Sequence, residues 1–462
     1  MTVLTRPAIS RPYRAAASLP AADLAGALLR LMLFIGLPMG AIIYSGAWFW
    51  PQNGFDYFTA SGVGQKEFRI AFWCVVVVVV GSAGLRCSPR LALDAFAPYG
   101  AFFVIAVLST LFSDDRLGSA WFLAQWFIMG SMGISIGLLS SPRRLEASAT
   151  LLFIAVPFIS VALLAVHPSW VTMPFQGKTL LRGLFLHKNA TGAFTAGGAL
   201  FLISFQAKVR RPWMRWAGIG LCLLVLALSL SLTAIGEFGI GLAAFFIISR
   251  IHAIKAPVAA KVGLMFSGLA LMMLIVSVVL PVVISAMNKS LSLDNRVAGW
   301  GLYWHFFQDH LLLGRGPGAF VTGTSNINKM IETLIPNDKN GSVHNAYLAI
   351  LGEIGLPGLI LYVLGLIYII VVAPLRRHAN TADIAAAVTA ASILAGSFTE
   401  ARETLTPGLS TFLVMICRGA AIASRDAQQR ARSSVSGPAG RRSPNSIAAE
   451  AGGLDAPSRV PQ

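Results

Sequence analysis

The sequence is short of charge. Asp, Glu, Lys and Arg make up 12% of its 462 residues, about half the share a water-facing domain carries. That deficit excludes a soluble enzyme, and it equally excludes a chain kept disordered by self-repulsion. Cysteine is scarce too. Cys74, Cys222 and Cys417 lie in apolar runs and Cys87 in a short basic turn, with no pair at a metal-ligand spacing, so neither a disulfide scaffold nor a zinc site is expected. Carboxylates number 19 against 36 Lys and Arg. The adjacent Asp114 and Asp115 lack the further ligands a metal needs, so they read as a solvated turn; no metal and no cofactor are expected.

What the sequence has instead is apolar residues, at 56%, and a mean hydropathy of +0.71. These describe an all-α, polytopic membrane protein. Spans of ~20 apolar residues are expected near residues 24–46, 68–85, 91–112, 119–140, 145–166, 189–206, 215–232, 235–250, 262–286, 346–373, 383–400 and 407–424, about twelve in all; two short connections leave ten or eleven open. The expected division is a cytoplasmic segment 1–23, a transmembrane domain 24–424, and a disordered basic tail 425–462 rich in Ser, Gly, Pro and Arg. The first apolar stretch is too long for a cleavable signal and is read as a span.

The net charge of +17 would suggest nucleic acid on a soluble protein. Here orientation explains most of it. With the N-terminus inside, 23 basic residues fall in cytoplasmic segments and 12 outside, with Arg30 within the first span. That asymmetry places both termini in the cytoplasm, and no nucleic-acid partner is expected.

Two outside segments, 167–189 and 287–345, are too long for simple connections and hold eight of the twelve outside basic residues. Arg296, Trp300, Tyr303, Trp304 and Phe307 recur at helical spacing. They predict a short amphipathic helix on the outer membrane surface with its aromatics at headgroup level. Guanidinium matches phosphate in a two-bond fork, so an arginine-rich outer pocket suits a pyrophosphate or an acidic sugar. His344 stands where the second segment meets the next helix, Asn345 is positioned to cap that helix, and imidazole suits proton acceptance near neutrality. Glu353 lies about 13 Å deeper on the opposite face, which excludes an acid–base pair with His344 within that helix. Between Gly352 and Gly355 it is expected to hydrogen-bond a neighbouring helix.

Four stretches together resemble the O-antigen ligase-like family of bacterial inner-membrane proteins, which includes O-antigen ligases and polysaccharide-repeat polymerases. They are Ser109 to Trp121; Arg182 to Gly192 (RGLFLHKNATG); Asn295 to Phe320, an Arg-x-x-x-Trp segment ending in a Gly-x-Gly-x-Gly-x-Phe turn; and His344 to Gly358 (HNAYLAILGEIGLPG). The His187-Lys188-Asn189 form is nearest to the exopolysaccharide-production branch. One departure is Ser231-Leu232-Thr233, where family members often carry a basic residue in the middle.

The resemblance implies a metal-independent, inverting glycosyl transfer at the periplasmic face. The donor would be a glycan on undecaprenyl pyrophosphate and the acceptor a sugar hydroxyl. The bilayer and other polysaccharide assembly and export proteins would be partners. It assigns His344 and Arg296 to catalysis, and Arg182, Lys188, Asn189, Arg315 and Asn345 to substrate binding. Polymerisation of repeat units is the first reading. Ligation of finished glycan to lipid A-core is the alternative, and a transporter of lipid-linked sugar is the third; the sparse intramembrane charge disfavours transport. Arg296→Lys keeps the charge but loses the fork, so polymer yield should fall sharply; an unchanged yield would mean that phosphate is not gripped bidentately there.

Overall fold

The computed structural model describes residues 21–44, 65–175, 177–185, 187–207, 211–286, 296–320, 330, 333, 344–376, 379–398, 400 and 408–435. The first twenty residues, most of the segment 287–345 and the tail beyond 435 lie outside the described residues, and with them most of the expected cytoplasmic N-terminal segment, much of the second outside segment and the expected disordered tail.

The described chain is helical. In order it forms α1 (Ala21–Tyr44), α2 (Gln65–Arg86), α3 (Pro89–Leu111), α4 (Arg116–Leu139), α5 (Pro142–Val166), α6 (Lys188–Ser204), α7 (Pro212–Ser229), α8 (Leu232–Ala253), α9 (Val258–Ala286), α10 (Arg296–Phe307), α11 (Ala346–Ile367), α12 (Thr381–Gly396) and α13 (Leu409–Val435). Apart from α10, these stand close to the predicted spans. Seven stretches among the described residues are both long and apolar enough to cross a membrane: in α1, α3, α4, α5, α7 and α8, and from α11 through to Leu375. The segment 167–189 is built rather than loose. A turn of helix at Pro168–Val171 leads into a hairpin of β1 (Thr172–Phe175) and β2 (Lys178–Leu181), paired antiparallel with Thr172 opposite Leu181.

Local chemistry starts these helices. Asp115 accepts the Gly118 N–H at 2.9 Å at the head of α4. Asn345 accepts the Leu348 N–H at 3.0 Å at the head of α11. Asn380 and Asp383 form a reciprocal capping box on α12. Each satisfies donors the first turn leaves open. Packing then depends on small residues. α12 is buried along most of its length through Ala385, Ala386, Ala387, Ala390 and Ala391. α4 and α13 cross so closely that a Cβ on Gly137 would meet the Ile416 carbonyl, and one on Gly133 would lie 2.9 Å from Met415 Cβ. Without a hydrophobic drive between helices in lipid, this close approach is what holds such a pair.

Several expectations need correction. The boundary at 424 falls inside α13, which continues as helix to Val435. Two of the arginines counted as cytoplasmic surface charge are structural: Arg425 reaches both carboxylate oxygens of Asp383 at 2.7 Å, and Arg418 is 1% exposed, donating to the Asp94 carbonyl. The aromatic stripe of α10 does not all face outward. Tyr303 and Phe307 are buried against Phe320, and Trp304 is exposed. Gly137→Val should lower the thermal stability of the purified protein by about 1–3 kcal/mol, the usual cost of overpacking; an unchanged unfolding midpoint would mean that α4 and α13 do not cross as described.

Candidate functional site

Helix starts gather at one end of the bundle. α6 begins at Lys188, α8 at Leu232 and α11 at Ala346, and Ala346 donates its N–H to the Ser397 carbonyl just past the end of α12. Helix N-termini present open N–H groups and partial positive charge, so this end favours anionic groups. One such group is already there. Glu400, 8% exposed, accepts a hydrogen bond from Asn189 Nδ2 at 3.0 Å through Oε1, and its Oε2 lies 3.5 Å from His344 Nδ1. Asn189 Oδ1 in turn accepts from Ser231 Oγ at 3.3 Å, and the Asn189 N–H donates to His187 Nδ1 at 3.2 Å. Histidine, amide, hydroxyl and carboxylate from four parts of the chain thus form one connected set. Asn189, Ser231 and Glu400 also line a small cavity with Thr233 and Glu237.

The backbone is strained here. Among the described residues, two non-glycine residues have positive φ, His344 at 47° and Leu230 at 48°. His344 leads into α11; Leu230 ends α7, next to Ser231. A left-handed bulky residue costs on the order of 1–3 kcal/mol and persists only where its surroundings hold it. The His344 side chain keeps 31% exposure beside the nearly buried Glu400, so one face of the ring is held while the other stays open.

A second set of contacts surrounds the glycine-rich turn. Glu353, 1% exposed, accepts the Gly318 N–H at 2.8 Å and the Phe320 N–H at 3.3 Å. This corrects the expectation of a helix–helix hydrogen bond: its partners are loop amides. Gly352 makes room for the Phe320 ring of this loop and for Phe307 of α10, and Gly355 for the loop backbone. A Cβ on Gly352 would lie 2.7 Å from the Phe307 ring, and Gly355, at φ 88°, breaks α11 where the Leu312 carbonyl passes. Gly316, at φ 103°, sits against Ser113. The Arg315 and Gly316 N–H groups bond the Gly352 and Glu353 carbonyls, each at 2.8 Å, and Ser109 Oγ donates to the Glu353 carbonyl at 2.8 Å. Three of the stretches singled out in the sequence therefore meet in one place.

The predicted site residues divide between these sets. His344 and Asn189 share Glu400. Asn345 spends its side-chain oxygen capping α11, and Lys188 is buried at the start of α6. Arg182 lies between the hairpin and α6, where Thr191 Oγ1 donates to its carbonyl. Its guanidinium donates to the Trp170 carbonyl at 3.2 Å, and its Nε is buried without a partner among the described residues. Arg315 belongs to the glycine turn, with Nε donating to the Phe306 carbonyl at 3.1 Å and Nη1 3.5 Å from Asp114. Asp114 and Asp115 do lie in a turn with Asp114 exposed, as expected, and the turn has work besides: Asp114 pairs with Arg315 and Asp115 caps α4. Arg296 begins α10, and its side chain lies outside the described residues. Among the described residues no three His, Cys, Asp or Glu gather as metal ligands would.

Sequence reasoning missed Glu400. It stands 56 residues from His344, just past the end of α12, with no spacing to betray the pairing. Ser231 was noted only for the missing basic neighbour. Residues 180–363 match the family described as O-antigen ligase, a stretch that holds Arg182, Lys188, Asn189, Ser231, Arg315, His344 and Glu353 and stops short of Glu400. No curated protein matches the chain. Over residues 180–363, the chain is thus similar to the O-antigen ligase family.

Proposed function

We propose that this membrane protein is a polymerase that joins oligosaccharide repeats carried on undecaprenyl pyrophosphate, for an exopolysaccharide or O-antigen, at the periplasmic face of the inner membrane. All twelve long helices span the bilayer in this reading, with both termini cytoplasmic, as the bias of basic residues favours. The observation that carries the chemistry is the contact of His344 with the buried Glu400 carboxylate at an open end of the bundle, in a chain whose residues 180–363 match the O-antigen ligase family. Of the two products open to the family, repeat polymer is favoured by the His187-Lys188-Asn189 form.

The step needs one proton acceptor and a place for departing charge. A carboxylate at Nδ1 favours the tautomer with hydrogen on that nitrogen, which leaves the Nε2 lone pair free. Nε2 takes the proton of an acceptor hydroxyl as its oxygen bonds to the anomeric carbon. The bond from that carbon to the pyrophosphate oxygen breaks on the opposite face, the configuration inverts, and undecaprenyl pyrophosphate leaves with the electron pair. Arg182, with its unsatisfied Nε, and Lys188 and Arg296 meet the phosphates, aided by the helix starts of α6 and α11. Arg315 is held in register by the turn that Glu353 braces. Each donor aimed at the departing charge would contribute about 3–4 kcal/mol. No metal enters this scheme.

A strain whose sole copy carries His344→Ala should lose secreted polysaccharide while its lipopolysaccharide and the membrane level of the protein stay normal. Normal polymer would remove His344 from catalysis, and uncapped lipopolysaccharide would identify a ligase. Glu400→Gln presents an amide N–H to His344 Nδ1 and so favours the wrong tautomer. In a purified assay kcat should fall by about 10²–10⁴-fold, the range of proton-transfer catalysis, with the donor KM little changed. A rise in KM alone would make Glu400 part of donor binding instead.

A further inference from the structure

We infer that the groove between α6, α7 and α8, at the end of the bundle away from His344, binds one anionic phospholipid, with an acyl chain in the groove and the phosphate at Arg215. This rests on the membrane setting alone and stands whether or not the catalytic scheme does.

The position follows from chain direction. α6 starts at Lys188 beside the candidate site, so Leu202 lies roughly 20 Å further along its axis. Residues 215–219 form the first turns of α7, which begins at that far end. The groove encloses about 290 Å³, near the lower end of ordinary ligand pockets at ~300 Å³. Leu202, Ile219, Leu242, Phe245 and Phe246 form its walls, and Gln206, Arg215 and Trp216 stand at its helix-end mouth. A cavity so apolar offers nothing to a sugar or a nucleotide and suits a hydrocarbon chain.

The mouth supplies the headgroup chemistry. Trp213 and Trp216 are 64% and 63% exposed, as aromatic residues at headgroup level are. The Arg215 guanidinium lies over the Trp216 ring at 5.6 Å. One of its nitrogens is 3.3 Å from Glu146, whose other oxygen accepts the Ala207 N–H at 2.6 Å. Glu146 thus anchors Arg215 by one edge and draws part of its own compensation from the backbone. The other guanidinium nitrogens have no protein partner among the described residues. Arg211, the N-cap residue of α7 four positions before Arg215, is exposed and adds a second guanidinium at this helix end. Such a concentration of positive charge favours an anionic over a zwitterionic headgroup, and a guanidinium fixed along one edge is set to fork a phosphate with the rest.

The test is native mass spectrometry of the full-length protein, titrated in mild detergent with dioleoyl phosphatidylglycerol, dioleoyl phosphatidylcholine or undecaprenyl phosphate. One phosphatidylglycerol should be retained with a preference over phosphatidylcholine of about fivefold or more, the size of one basic residue's attraction for an anionic headgroup. Leu242→Trp, which fills the groove and leaves the Arg215–Glu146 pair alone, should abolish that retention. Arg211→Glu should remove most of the preference without unfolding risk, where Arg215→Gln would leave Glu146 unpaired. Equal retention of the two phospholipids, or full retention by Leu242→Trp, would overturn the assignment. Displacement of phosphatidylglycerol by equimolar undecaprenyl phosphate would also overturn it and give the groove to a polyprenyl chain.

Discussion

One nearly buried carboxylate, Glu400, holds the candidate site together. It takes a hydrogen bond from Asn189 at the start of α6 and faces His344 at the start of α11, and Asn189 passes the connection on to Ser231 at the start of α8. A buried charge is tolerable only when it is paired and hydrogen-bonded, and here the compensation comes from several elements at once. Removing any one partner leaves the charge less satisfied, so helix starts far apart in sequence are bound to a common geometry. The positive φ of His344 is in keeping with this: the surroundings fix a backbone that the residue would not choose alone.

Glu353 performs a similar task for the neighbouring turn. Its carboxylate organises the amides of Gly318 and Phe320, while Gly316 and Gly355 adopt conformations that a side chain would resist. The result is a rigid shelf on which Arg315 is held between the Phe306 carbonyl and Asp114. An arginine fixed in this way loses little further freedom when it meets a phosphate, which is how preorganised charge contributes to a transition state. Two buried carboxylates therefore divide the labour, one orienting a base and the other bracing a cation.

The helices were largely legible because apolar runs of spanning length and caps such as Asn345 are local features. The Arg182 to Gly192 and His344 to Gly358 motifs were legible for the same reason. What could not be read was pairing across distance. Glu400 is separated from His344 by a helix and its connections, and nothing in the spacing marks it. Glu353 was recognised as buried and polar, but its partners are backbone amides, which carry no side-chain signature. The α10 stripe fitted a membrane surface as well as a protein surface until Tyr303 and Phe307 were seen against Phe320. Basic residues were misjudged where each count treated them as free: Arg418 and Arg425 are built into the fold, and Arg215 is anchored by Glu146. The positive charge thus has a third use, structural clasping, beside orientation and anion binding.

The central claim is that His344 and Glu400 act as one unit in proton transfer, and a double-mutant cycle on the purified protein tests it most directly. Turnover would be followed as release of undecaprenyl pyrophosphate from a defined lipid-linked oligosaccharide by the wild type, His344→Ala, Glu400→Ala and the double variant. Groups that act together are not additive. The account predicts that the double variant is no slower than His344→Ala alone. Losses that multiply, with the double variant slower than either single one by the full factor of the other, would contradict it.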